Sequence, residues 1–148
     1  PILKNTNYLL PKIDSSGEEI RAVSLIKVQY KDSIQLNFAS THLGLSQKTR
    51  LMQVDSISKI AATVSSPFII CGDFNATPDS EAIQKITTVF HRSCTTDCDL
   101  TFPFDAPREK IDYIFYKGKN RLQPIDQYAI SGTKWSDHLP VVTKFLIQ

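Results

Sequence analysis

The chain has little cysteine, methionine, tryptophan or glycine, almost no excess of charge of either sign, and no long apolar run. Three cysteines, Cys71, Cys94 and Cys98, are too few and too unevenly placed for a disulfide framework or for a zinc site with neighbouring histidines. Cys94 and Cys98, in "SCTTDC", stand close enough to pair or to stay as two free thiols, so the compartment stays open. Cys71 reads as core packing. No stretch approaches the roughly 18 apolar residues that a membrane span requires. A net charge of +2 does not by itself announce nucleic acid or an anionic membrane as partner. Repeats, low-complexity tracts and linkers are also missing, which leaves one compact domain over residues 1–148. The first residue is Pro1 and the single methionine is Met52, which reads as a processed chain or a fragment.

What is present is a succession of strand and helix patterns. "RAVSLIKVQY" and "IQLNFAS" are β-branched and aromatic segments that the connection "KDS" joins into an antiparallel hairpin. In the second of them Ile34, Leu36 and Phe38 alternate with polar or small residues, so even positions are expected to face the core, with His42 pointing inward at the end. From Ser46 to Ser65 the period changes: Leu51, Val54, Ile57, Ile60, Ala61 and Val64 share one helical face, with Ser46 as N-cap. "PFIICG" reads as a strand covered on both faces. "ATPDSEAIQKITTVF" opens a second helix, with Thr77 as cap and Pro78 in the first turn. Residues 91–110 read as a long loop, "KIDYIFY" as a strand, "QYAI" as another, and "VVTKFLI" as the closing one. The expected class is α/β (α+β), a mainly antiparallel sheet with flanking helices.

Polar groups mark the strand ends. His42 lies in "STHLG", Asp73 and Asn75 in "GDFN", Asp112 in "KIDYIF", and Asp137 with His138 in "SDHLP". Each has an ordinary structural explanation alone, since aspartate after glycine forms turns and a lone histidine is most often a satisfied core residue. Gathered in one poorly solvated place, the carboxylates would need a cation to stay ionised. Oxygen ligands with an amide and no cysteine set favour Mg2+ or Mn2+ over zinc. Such an ion suits the breaking of a phosphorus–oxygen bond.

"THLG", "GDFNATPDS", "KIDYIF" and "SDHLPVV", in this order, resemble the endonuclease/exonuclease/phosphatase superfamily of metal-dependent hydrolases with the deoxyribonuclease-I-like fold. The match runs from about Arg21 to the last strand and corresponds to the C-terminal half of that four-layer α/β sandwich. The resemblance implies that Asp73 orients or deprotonates the attacking water and that Asn75 steadies it. His138, oriented by Asp112, binds the phosphate, and His42 binds phosphate or protonates the leaving group. Asp137, together with Asp73 and Asn75, is the metal set. The family's first half supplies a glutamate ligand that Glu18 and Glu19 are not expected to replace, and it would cover the sheet face of Ile34, Leu36 and Phe38. Either that missing half or a second copy is therefore an expected partner. Arg108 and Lys110 are substrate candidates because they precede Asp112 in the chain, while Arg50 and Gln53 receive no chemistry. Phe102, Phe104 and Trp135 are expected to touch a base, sugar or lipid, or to pack at the rim. The substrate is a phosphate ester: a nucleic acid, a phospholipid or a small molecule. The competing reading is a fragment or noncatalytic binding module of the same fold, inactive without the N-terminal half.

Overall fold

The computed structural model describes residues 1–13, 17–31, 33–64 and 67–148. Its elements are strands β1 (Ile2–Leu9), β2 (Ala22–Lys31) and β3 (Ile34–His42), helix α1 (Gln47–Thr63), strand β4 (Phe68–Asp73), helix α2 (Glu81–Ile86), and strands β5 (His91–Arg92), β6 (Asp112–Lys117), β7 (Leu122–Ala129) and β8 (Val141–Ile147). The first six strands form one sheet in the order β1-β2-β3-β4-β6-β5, and β7 and β8 form a separate ribbon. Only β3 and β4 run parallel, joined by the crossover helix α1; the other pairs are antiparallel. Parallel neighbours need such a crossover, whereas β2 and β3 turn directly into each other. The α+β class with a mainly antiparallel sheet is therefore present.

The sheet's two faces take opposite parities. Ala39 on β3, Phe68 and Ile70 on β4, and Tyr113 and Phe115 on β6 pack against Val54, Ile57 and Ala61 of α1 and Ile83 and Ile86 of α2. On the other face Leu36, Ile69 and Tyr116 form a smaller cluster with Leu122, against which Phe38 of β3 and Phe145 and Ile147 of the ribbon are partly buried. Even positions of β3 do face a core, as expected, but it is the smaller of the two. They face the minor cluster, and the major core takes the odd positions, because alternation sets two faces apart without saying which one the helices cover.

Helix α1 begins where its apolar period begins, and the Ser46 side chain accepts from Thr49 N–H at 3.2 Å as N-cap. Ser65 and the centre of the "KDS" connection, Asp32, lie outside the described residues, as does "DSS" at 14–16. The cap of α2 is Ser80, whose side chain accepts from Ile83 N–H, and not Thr77. Thr77 and Pro78 sit in a turn closed by Ser80 N–H to the Thr77 carbonyl, so the helix starts later than expected. Residues 91–110 are not wholly irregular. They carry the short strand β5, a Cys94–Cys98 disulfide and a bridge between Phe102 and Glu109. Among the described residues no helix is long and apolar enough to cross a membrane.

Candidate active site at the strand ends

Three strands deliver their last or first polar residue to one line. In the register, His42 pairs with Asp73 across the parallel β3/β4 ladder, and Asp73 pairs with Asp112 across β4/β6. Directly paired residues on one face stand about 5 Å apart at Cβ. All three continue the face that begins with Leu36, Ile69 and Tyr116, so a single sheet surface passes from apolar to ionisable along the strands. His42 does not point inward as expected. The strand end runs past the cluster, and the imidazole is half exposed, with Nε2 3.2 Å from Asp73 Oδ2.

Gly72 makes this approach possible. Its φ is +149°, and a Cβ built there would lie 1.8 Å from the Thr41 carbonyl oxygen on β3. Only glycine lets β4 close on β3 immediately before Asp73. Asn75 follows at φ +48°, a conformation asparagine tolerates. Its backbone N–H donates to Asp73 Oδ1 at 2.7 Å, and its side-chain Nδ2 donates to the Leu43 carbonyl at 2.9 Å. Asn75 therefore holds one carboxylate oxygen and ties it to the segment after His42, leaving Asp73 Oδ2 to face the histidines.

His138 reaches the line from the loop before β8. Its Nδ1 is 2.9 Å from Asp112 Oδ2, and its Nε2 is 3.9 Å from Asp73 Oδ2. An ionised carboxylate only accepts, so Nδ1 carries the proton and Nε2 is the free position. The ring also packs on Phe102, centroid to centroid 4.8 Å. Fully buried Thr101 aligns the two loops: its carbonyl accepts Leu139 N–H, and its Oγ1 accepts Ile111 N–H. Sequence reasoning offers Phe102 as a substrate contact or a packing residue, without naming His138 as what it packs on, and does not single out Thr101. An aromatic one residue after a buried threonine carries no pattern that would reveal either role.

The electrostatics follow from burial and proximity. Burial pushes the Asp73 carboxyl above its ordinary value; the Asn75 N–H and the two imidazoles oppose this, and Asp112 adds to it. Burial would push the His138 imidazole down, but the hydrogen bond and charge of Asp112, with the charges of Asp73 and Asp137, outweigh it and raise the pKa. Oxygens of Asp73 and Asp112 and a nitrogen of His138 lie within 4.8 Å of one another, a set able to hold a metal ion. Hard carboxylate oxygens beside one imidazole fit a divalent cation of the magnesium or manganese kind.

Other expected residues lie elsewhere. Asp137 is exposed, its Oδ1 3.5 Å from Ser136 Oγ, and its backbone carbonyl accepts Phe104 N–H. Trp135 is 94% exposed beside it. Lys110 is buried, and together with Arg108 it lines a cavity to which none of the four clustered residues contributes. Arg50 donates to the Leu45 carbonyl, and Gln53, fully buried, accepts Gly44 N–H and donates to the Pro11 carbonyl, so both shape the segment after His42. Glu18 accepts Ser46 N–H at 2.7 Å and serves the same segment.

The model of the endonuclease/exonuclease/phosphatase family matches residues 6–138. It takes in the second half of β1, ahead of Arg21, where the resemblance read from the sequence begins. Among curated proteins no sequence match is found. Similar solved structures include an endonuclease/exonuclease/phosphatase from Bacteroides vulgatus (TM-score 0.83, 23% identity), covering 100% of this chain and 66% of that one. A mannosyl-6-phosphatase from Bacteroides thetaiotaomicron gives 0.79 at 19% identity, covering 99% and 67%. D. rerio TDP2 complexed with a single-strand DNA product gives 0.79 at 16% identity, covering 98% and 68%. At these identities the likeness is one of fold, and this chain spans about two thirds of the length of those structures. With the family model matching nearly all of it, the chain belongs to the endonuclease/exonuclease/phosphatase family.

Proposed function

We propose that the protein hydrolyses phosphate esters with a divalent cation, Mg2+ or Mn2+, at the His42, Asp73, Asp112 and His138 cluster. The observation that carries this reading is the register: adjacent strand ends hold an imidazole and two carboxylates in line, and a second imidazole is locked onto one of them. Asp73 and Asp112 are the nearest oxygen donors for the ion; Asn75 and the exposed Asp137 stay in the proposed set only as what the family resemblance implies. When bound, the ion supplies positive charge to a phosphate oxygen.

The remaining steps belong to the side chains. Asp73, with one oxygen fixed by the Asn75 N–H and a pKa raised by burial, is suited to orient a water and take its proton. His138, held by Asp112, directs Nε2 into the cleft and in its protonated form stabilises charge on the phosphate. His42, half exposed beside Asp73, is placed to protonate the leaving oxygen. The fixed strand ends hold these groups before substrate arrives, which is where preorganised catalysis gains its rate. The minor sheet face, where Ile34, Phe38 and Ile114 are only partly buried, takes a second α/β layer as its cover.

Hydrolysis of bis(p-nitrophenyl) phosphate, measured with Mg2+ and again with EDTA, tests the reading. Turnover that depends on the cation and disappears in Asp73→Asn is expected. Absence of cation-dependent turnover both in this chain alone and with the family's first half added would favour a noncatalytic binding module.

A further inference from the structure

Behind the reacting centre, a cavity of about 290 Å3 opens between the turn at Thr77–Pro78, Arg92 of β5, the loop closed by the Cys94–Cys98 disulfide, and Arg108–Lys110. Lys110 is 5% exposed, and its Nζ has no hydrogen-bond partner among the described residues. The ammonium stands over the Tyr113 ring at 5.3 Å, while the Tyr113 hydroxyl is turned away to donate to the Ala76 and Lys110 carbonyls. A ring face offsets part of the lost hydration of an ammonium, but it offers no acceptor for the three N–H donors. Buried charges are ordinarily paired and hydrogen-bonded; this one senses the charges of Asp112 and Asp99 but has no hydrogen bond among the described residues.

The surroundings say which partner is missing. Arg92, half-buried, lines the same cavity, and Arg108 stands exposed at its edge. The two carboxylates that line it, Asp97 and Glu109, are exposed and so remain solvated. The inner wall is cationic and the rim is mixed. A cavity of this volume suits a single compact polar group and is small for a drug-sized ligand. Guanidinium and ammonium donors together suit a tetrahedral oxyanion.

We propose that this cavity is an anion pocket, separate from the reacting centre, in which Lys110 and Arg92 hold a phosphoryl group and Arg108 borders its mouth. Phosphoryl oxygens supply the acceptors that the Lys110 ammonium lacks. The group is either a second phosphoryl on the substrate or free inorganic phosphate.

Calorimetric titration of inorganic phosphate into the protein in EDTA tests the pocket without calling on catalysis, so it stands or falls apart from the hydrolase reading. Saturable binding is expected in the wild type and in Asp73→Asn, weakened at least tenfold in Lys110→Met and in Arg92→Gln. Either no saturable binding, or equal affinity in the folded Lys110→Met and Arg92→Gln variants, would overturn the proposal. Circular dichroism checks folding, and Arg92→Gln carries the test if Lys110→Met does not fold. A second arm compares thymidine 5′-(p-nitrophenyl phosphate) with the same ester bearing a 3′-phosphate. A KM increase in Lys110→Met confined to the 3′-phosphorylated ester assigns the pocket to the substrate's second phosphoryl; an unchanged KM ratio assigns it to free phosphate.

Discussion

On one side of the central sheet, Ala39, Ile70, Tyr113 and Phe115 meet two helices and vanish from solvent; on the other, the neighbouring residues of the same strands meet only a ribbon and then run out into charge. On β3, β4 and β6 the helix-covered face stays apolar or hydrogen-bonded. The opposite face starts with Leu36, Ile69 and Tyr116 and finishes with His42, Asp73 and Asp112. One residue of shift along a strand therefore separates a position that holds the fold from one in the proposed site. Rigidity made on the first face is lent to the second, because both belong to the same backbone.

The largest effect expected is on catalysis alone. Asp73→Asn removes the proposed base and lowers kcat by about 10²–10⁴-fold. Burial already disfavours the ionised carboxylate in the fold, so the melting temperature should stay the same or rise. A variant that loses activity only by melting would erase the division of labour between the faces. Phe115→Ala is the mirror experiment. The ring is fully buried and packs edge-on to Phe74 at 4.9 Å, so its removal should cost about 3–5 kcal/mol in chemical denaturation. The KM of the folded fraction should not move.

Ser46→Ala sharpens the same contrast at smaller scale. It removes the cap of α1 and should lower stability by about 1 kcal/mol, read as a shifted denaturation midpoint. Smallest is a pH effect in EDTA. The folded pKa of His138 is raised, so its pairing with Asp112 stabilises the protein fully below the unfolded pKa, about 6.5, and the gain is lost as pH rises through the folded value. The melting temperature of wild type over Asp112→Asn should therefore be larger at pH 6 than at pH 9. An equal difference at both would show that the imidazole does not sense Asp112.

Much of this division was legible. The period of 3.6 across Leu51, Val54, Ile57 and Ala61 located α1, and polar residues at the ends of apolar runs located the cluster. Strand β1 was not legible. "ILKNTNYL" is mostly exposed, so it carries little alternation, and it is held by its ladder to β2, which no local pattern reveals. The start of α2 was misplaced because Thr77 and Ser80 are both good caps and the choice between them is made by a turn. Chain proximity to Asp112 suggested that Lys110 enters the cleft. It instead enters the cavity behind, since a loop residue's direction is set by its partners, here Tyr113. The Cys94–Cys98 pairing was left open for a similar reason: spacing permits it, and only the loop's path decides.

Binding of Mn2+ followed by electron paramagnetic resonance bears most directly on whether the strand ends form a cation centre. The account predicts saturable binding by the wild type that falls at least tenfold in Asp112→Asn and in Asp73→Asn while Phe115→Ala, under conditions where it is folded, retains it. Binding of equal strength in all four proteins would contradict it.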